Sequence, residues 1–290
     1  RIEPMKLLLE TTIQLHRIAD DTGIKQRIND ELSDQECYTT SFVLREFLRT
    51  VIKDLAYIHT AIESLEAGAD GRIALGNLDR FLASGKGNFS VRAARRERYV
   101  TAIILDAFPE TKIPRGKLLR FLERAAQQWL EEFFEVPALD GESRIDDDHF
   151  LTGLDEQHDE MERWIQDHHP IPEPPPFPIG AAKFLDDNRR SVLRAEECVQ
   201  EAKAREKDKN LLKVLGALKD DDGEYDFLGK LKTNTRGNWT LGDLLIALES
   251  PPDAHIYTTD KHYGPLCRAL KKHRSQGYQP MSRADANDRI

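Results

Sequence analysis

With 290 residues, 39% hydrophobic and 32% charged, the chain is long enough for one large domain or two ordinary ones around a real core. A formal net charge of −9 argues against a protein that coats nucleic acid through bulk electrostatics, so attraction to a polyanion must come from local basic patches. No apolar run approaches the ~20 residues needed to span a bilayer, the apolar start at Met5 is too short for a signal segment, and Cys37, Cys198 and Cys267 show neither disulfide nor zinc spacing. A cytoplasmic protein without membrane attachment is the expectation.

The first strand candidate is Met5 to Leu9, followed at once by Glu10 and a helix start at Thr11-Thr12-Ile13-Gln14-Leu15. A second, Cys37 to Thr40, runs into a helix from Ser41 to about Ala67, in which Leu44, Leu48, Val51, Leu55, Ile58, Ile62 and Leu65 form one buried stripe. Glu46 lies off that stripe, where an isolated glutamate is ordinarily solvated or paired with a basic residue one turn on.

Ser90 to Phe108 reads as a helix with Val100, Ile103, Ile104 and Ala107 on one face. Pro114 opens another, with Leu118, Leu122, Ala125, Trp129 and Phe133 inward, and a third candidate is centred on Leu151, Leu154, His158, Met161 and Ile165. Successive prolines make 168–180 a stiff extended strap. A charged helix from Ala181 to Leu218, weak near Lys209-Asn210, ends in an Asp220-Asp221-Asp222-Gly223 loop. Residues 61–224 therefore read as a mainly α-helical insertion with its own core, able to serve as a lid or as a platform for a regulatory protein partner.

Two further acids sit at element boundaries. Asp243 opens the helical run Leu241-Gly242-Asp243-Leu244-Leu245-Ile246-Ala247, and Asp260 follows the strand-like Ala254 to Tyr257 through Thr258 and Thr259. Each has a local explanation as a helix cap: Thr240 with Asp243 fits a capping box, and Asp260 precedes a helix through Leu266 and Leu270. In a parallel α/β arrangement both would lie on the carboxyl edge of the strands, where such sheets bind ligands.

In order along the chain, KLLLETTIQL, YTTSFVLREFLR, GDLLIAL and IYTTDKHY resemble the acid-bearing segments of the PIN-domain nucleases. The resemblance covers 1–60 and 225–290. It implies a three-layer α/β/α PIN-like domain with a central, mainly parallel sheet, interrupted by the helical insertion. Glu10, Glu46, Asp243 and Asp260 would be the catalytic, metal-holding cluster, with Glu10 standing where the family normally has aspartate. The implied activity is a metal-dependent endonuclease, with single-stranded RNA the expected substrate.

Hard carboxylate oxygens suit Mg2+ or Mn2+, which retain waters and accept phosphate oxygens as further ligands. Thr258 and Thr259 could add a hydroxyl to the metal or phosphate shell, although strand threonines are more often just β-formers. The basic clusters at Arg92, Arg95, Arg96 and Arg98, and at Lys271, Lys272, His273 and Arg274, are candidate nucleic-acid contacts, although such clusters are usually solvated faces. A degenerate domain that binds nucleic acid without cutting and an interaction scaffold acting through the insertion are the alternatives. Asp146-Asp147-Asp148 with His149 reads better as an acidic helix start than as a cation site, and Gly85-Lys86-Gly87-Asn88 lacks the ending of a phosphate-binding loop.

Overall fold

A computed structural model describes residues 4–19, 22–84, 91–137, 179–202, 205–231 and 238–276. The third helix candidate at 151–165, the acidic run at 146–148, the Gly85 to Asn88 segment and the strap up to residue 178 lie outside the described residues.

The chain begins with strand β1 (Lys6–Leu9), helices α1 (Thr11–Ala19) and α2 (Thr22–Leu32), and strand β2 (Glu36–Tyr38). Helix α3 (Ser41–Phe47) passes through a π-helical turn at Leu48–Ile52 into α4 (Lys53–Glu63). Then come α5 (Gly71–Ala83), α6 (Val91–Asp106), α7 (Arg115–Phe134), α8 (Ile179–Asp187), α9 (Arg189–Glu201), α10 (Glu206–Ala217) and the short α11 (Phe227–Lys230). A 3-10 turn at Asn238–Leu241 leads into α12 (Gly242–Glu249), followed by β3 (His255–Thr258), α13 (Tyr263–Leu270) and β4 (His273–Gln276). The protein is thus α/β, mostly helical, around a small sheet.

That sheet has the order β2-β1-β3-β4, with every pairing parallel. In β1, Leu7 and Leu9 point to one face, against Ile28 and Leu32 of α2, while Leu8 points to the other, against the larger cluster containing Phe42, Leu245, Ile256 and Leu266. Alternation along the strand therefore places helices on both faces, which explains why β1 reads as a continuous apolar run. Burying each of these leucines contributes about 1.5–3 kcal/mol. Because β1 leads outward to β2 and β3 leads outward to β4, the order reverses between β1 and β3. The carboxyl ends of those two strands form the crevice where open parallel sheets bind ligands.

The stripe expected over Ser41 to Ala67 is buried as anticipated at Val51, Leu55, Ile58 and Ile62. The helix is not continuous, however. It widens into the π turn just after Glu46, and the hydroxyl of Thr50 takes the Glu46 carbonyl at 2.6 Å. A polar side chain engaged by a backbone acceptor at such a point commonly accompanies a local change of helical pitch.

Helix α7 buries all five of its anticipated inward residues. On α6, Val100, Ile103 and Ile104 are buried, but Ala107 lies past the helix end and is exposed, its expected place being taken by Phe108. The long charged helix expected from Ala181 to Leu218 is three helices. It is interrupted between α8 and α9 and again between α9 and α10, and not at Lys209-Asn210, which lie inside α10. The turn through Gly223 is as expected, with φ of +83°.

Among the described residues, the helical segment does not keep a core of its own. One continuous apolar cluster joins Leu118, Leu122 and Phe133 of α7, Val192 and Val199 of α9 and Leu211 and Leu215 of α10 to Leu244, Ile256 and Leu266 of the carboxyl-terminal part. Amphipathic stripes report that a face is buried without naming its partner.

Candidate functional site: a carboxylate cluster at the sheet edge

Glu10 immediately follows β1 and caps the next helix, its Oε2 accepting from the backbone N–H of Thr12 at 2.8 Å. Across the crevice, the hydroxyl of Thr258 at the end of β3 donates to Glu10 Oε1 at 3.2 Å. Glu46 is brought in from α3, whose start is capped by Thr40 Oγ1 accepting from Val43 N at 3.2 Å. The Thr11 hydroxyl donates to Glu46 Oε2 at 2.5 Å, so consecutive residues at the end of β1 engage two of the acids.

Asp243 lies in the first turn of α12. Its Oδ1 accepts from the hydroxyl of fully buried Tyr263 at 3.3 Å. The anticipated capping box with Thr240 is not formed: Leu241 is the cap and contributes no side-chain bond. Asp260 is not the cap of α13 that its position suggests: the cap is His262, which contributes no side-chain bond, and Asp260 lies two residues before it. Asp260 Oδ1 accepts from His262 N at 2.9 Å, steadying the entry to α13, while Oδ2 faces the cluster.

The other three acids all bear on the charge of Glu10. Burial pushes the Glu10 carboxyl up to about 8; the Thr12 N–H opposes this, and the negative charges of Glu46, Asp243 and Asp260 add to it. The Tyr263 hydroxyl is held well above the usual tyrosine range, first by burial and then by the surrounding carboxylates, so it stays a donor.

Two consecutive residues of α10 complete the site. Lys207 Nζ donates to Asp243 Oδ2 at 3.1 Å and also to Asp260 Oδ2. Burial opposes ionisation of Asp260, but the Lys207 ammonium and the His262 N–H outweigh it and hold the carboxyl below its usual range. Asp208, almost fully buried, bonds through Oδ1 to His262 Nδ1, and Oδ2 accepts from Arg205 N at 3.1 Å. The second nitrogen of His262 stands 3.9 Å from Asp243 Oδ2.

Among the described residues no three carboxylate, imidazole or thiolate groups stand together at metal-binding geometry. The Lys207 ammonium is held between two of the acids, Asp243 and Asp260.

No protein-family model, no curated protein and no solved structure matches the chain.

The remaining candidates are placed variously. Thr259 is half-buried between Thr258 and Asp260, at the crevice. Arg92, Arg95 and Arg96 fall in the first half of α6. Arg98, on the same helix, pairs with Asp79 of α5 at 2.7 Å. Lys271 is exposed and adopts the left-handed conformation that ends α13, whereas the Lys272 ammonium bonds the carbonyl of Ser250 beyond α12. His273 and Arg274 begin strand β4 instead of continuing a helix. Lys207, Asp208, His262 and Tyr263 were not singled out by sequence. For the last two the only signal was their place directly after Asp260.

Proposed function

We propose that the protein is a metal-dependent endonuclease with a PIN-like, three-layer α/β/α body, cutting RNA in preference to DNA. What supports this reading is that Glu46, Asp243 and Asp260, from three other segments, all act electrostatically on Glu10 at the carboxyl edge where the strand order reverses. Glu46, Asp243 and Asp260 are the residues to hold Mg2+ or Mn2+, with Glu10 behind them, and the ion when bound supplies an activated water and neutralises charge on a phosphodiester.

The chain's own groups have separable tasks. Tyr263 fixes one oxygen of Asp243 and leaves the other facing the crevice. Asp208 holds the His262 ring, and Thr11 orients Glu46. Lys207 is matched to phosphate as well as to carboxylate, so it can accompany a substrate phosphate when metal takes over the acids. The preference for single-stranded RNA rests on the resemblance of the four segments, which the residue types alone do not select.

The Lys207 contacts favour one second reading, a nucleic-acid-binding protein that does not cut, in which the ammonium stands permanently in place of metal. Purified protein incubated with single-stranded RNA and DNA in Mg2+, Mn2+ or chelator separates the two. Metal-dependent cutting abolished by Asp243→Asn and by Asp260→Asn is the expected result. Chelator-resistant cutting, or undiminished Asn variants, would reject the metal mechanism, and binding without cutting by the intact chain would establish the second reading.

A further inference from the structure

Next to the carboxylate cluster lies a cleft of about 480 Å³ lined by eight residues, among them Arg205, Asp208, Lys261, Gly264, Arg268 and Arg274. Four of the eight are cations, in a chain whose net charge is −9. The one carboxylate, Asp208, is already engaged by His262 and by the Arg205 backbone, so it does little to balance them. Among the described residues none of the four cations forms an ion pair, and Arg274 Nε is buried without a hydrogen-bond partner. A buried unsatisfied donor on a residue that lines the cleft with three exposed cations is an arrangement that an oxyanion would complete.

The cleft and the cluster share their wall. Along α10, Lys207 faces the acids and Asp208 borders the cleft. After β3, Asp260 faces the acids and Lys261 borders the cleft. Gly264 leaves that wall without a side chain. A strand whose backbone reached the carboxylates would therefore carry its neighbouring phosphates past Arg205, Lys261, Arg268 and Arg274.

We propose that this cleft is a phosphate-binding subsite that holds a backbone or terminal phosphate of a single-stranded nucleic acid beside the carboxylate cluster. The proposal rests on the nuclease reading for its choice of ligand, yet concerns binding rather than cutting. Neutral or cationic ligands are disfavoured by the four like charges, and the polar walls suit a hydrated phosphate better than an apolar group.

The test uses the full chain in chelator, with a fluorescent single-stranded oligoribonucleotide followed by anisotropy over a salt series. In the triple variant Arg205→Gln/Lys261→Gln/Arg268→Gln, affinity at ~0.1 M salt should fall at least about tenfold, and the slope of log K against log salt should shrink by about 2, from ~0.7 per phosphate contact on single strands. Melting should remain within a few degrees of wild type, because all three side chains are exposed. Arg120→Gln/Arg194→Gln/Lys209→Gln removes the same charge from other exposed positions and should change the slope much less.

Equal losses in the two triples, or no binding by the intact chain, would overturn the subsite. Comparison of 5′-phosphorylated and 5′-hydroxyl oligonucleotides identifies the source of the phosphate: a cleft-dependent difference assigns a terminal group, and equal dependence assigns the internal backbone. Cleft-dependent binding without metal-dependent cutting would reject the nuclease reading alone. Metal-dependent cutting with cleft-independent binding would reject this proposal alone.

Discussion

Lys207 Nζ lies 3.1 Å from Asp243 Oδ2, tying the first turn of α10 to the first turn of α12 across the mouth of the carboxylate cluster. The same ammonium also bonds Asp260, so a residue from the helical segment supplies the counter-charge for two acids of the carboxyl-terminal part. A divalent ion at those oxygens must displace or share them with Lys207.

Replacing Lys207 with Met keeps the aliphatic stem and removes the charge. Without metal the carboxylates then repel one another unopposed, and the loss of these partly exposed ion pairs is expected to cost about 1–2 kcal/mol. Millimolar Mg2+ or Mn2+ should raise the melting temperature of Lys207→Met by more than that of wild type, since metal no longer competes with an internal ammonium. Equal metal shifts in the two proteins would mean that Lys207 and metal do not share these oxygens.

Glycine at 242 is a packing requirement. A Cβ there would stand 2.5 Å from Phe42 Cε1, and Phe42 is itself buried at the start of α3. Close approach of α12 to α3 sets where Asp243, the residue after Gly242, stands. Gly242→Ala is expected to destabilise by about 1–2 kcal/mol, overpacking outweighing the gain in helix propensity, and Gly242→Val by more. Urea unfolding should show lower midpoints at unchanged m-value.

How much of this was legible differs by residue. Three of the acids, Glu10, Asp243 and Asp260, stand where an apolar run ends or begins, so element boundaries marked them, whereas Glu46 lies within its helix and only the buried stripe beside it marked that helix. Lys207 and Asp208 could not be found this way. They sit among Glu201, Arg205, Glu206 and Lys209, where local charge resembles any solvated helix face, and only the tertiary packing of α9 and α10 against the carboxyl-terminal part turns them inward. Strand β4 was equally hidden, because His273-Arg274-Ser275-Gln276 carries no apolar alternation. It pairs as an edge strand through backbone bonds with β3.

Glu10 makes the metal-free protein sensitive to pH in a definite direction. Its carboxyl has an ordinary value of 4.5 and titrates at about 8 in the fold, chiefly because it is buried. Between those values the unfolded chain has lost a proton that the folded chain keeps. Stability in chelator should therefore decline as pH rises from 4.5 towards 8, by at most ~1.4 kcal/mol per pH unit, and level off above. Glu10→Gln should flatten this contribution, and saturating Mg2+ should oppose it by favouring the ionised acid. Urea midpoints at pH 5, 6, 7 and 8 for both proteins check this; identical slopes would place the proton elsewhere.

The length of the Glu10 side chain is itself open to experiment. The glutamate spans two contacts, Thr12 N at 2.8 Å and the Thr258 hydroxyl at 3.2 Å. Aspartate favours a bond to a backbone N–H two residues on, so Glu10→Asp should retain the Thr12 cap, release Thr258 and draw the carboxylate back towards the end of β1. The expected outcome is a fold within about 1 kcal/mol of wild type, because one neutral hydrogen bond is lost, with faster metal-dependent cutting of single-stranded RNA. Single-turnover rates in Mn2+, paired with metal-induced melting shifts, decide the matter. A slower Glu10→Asp enzyme with an unchanged metal shift would show that the longer acid is needed where it stands, while cutting seen only in Glu10→Asp would identify the extra methylene as the cause of a silent native site.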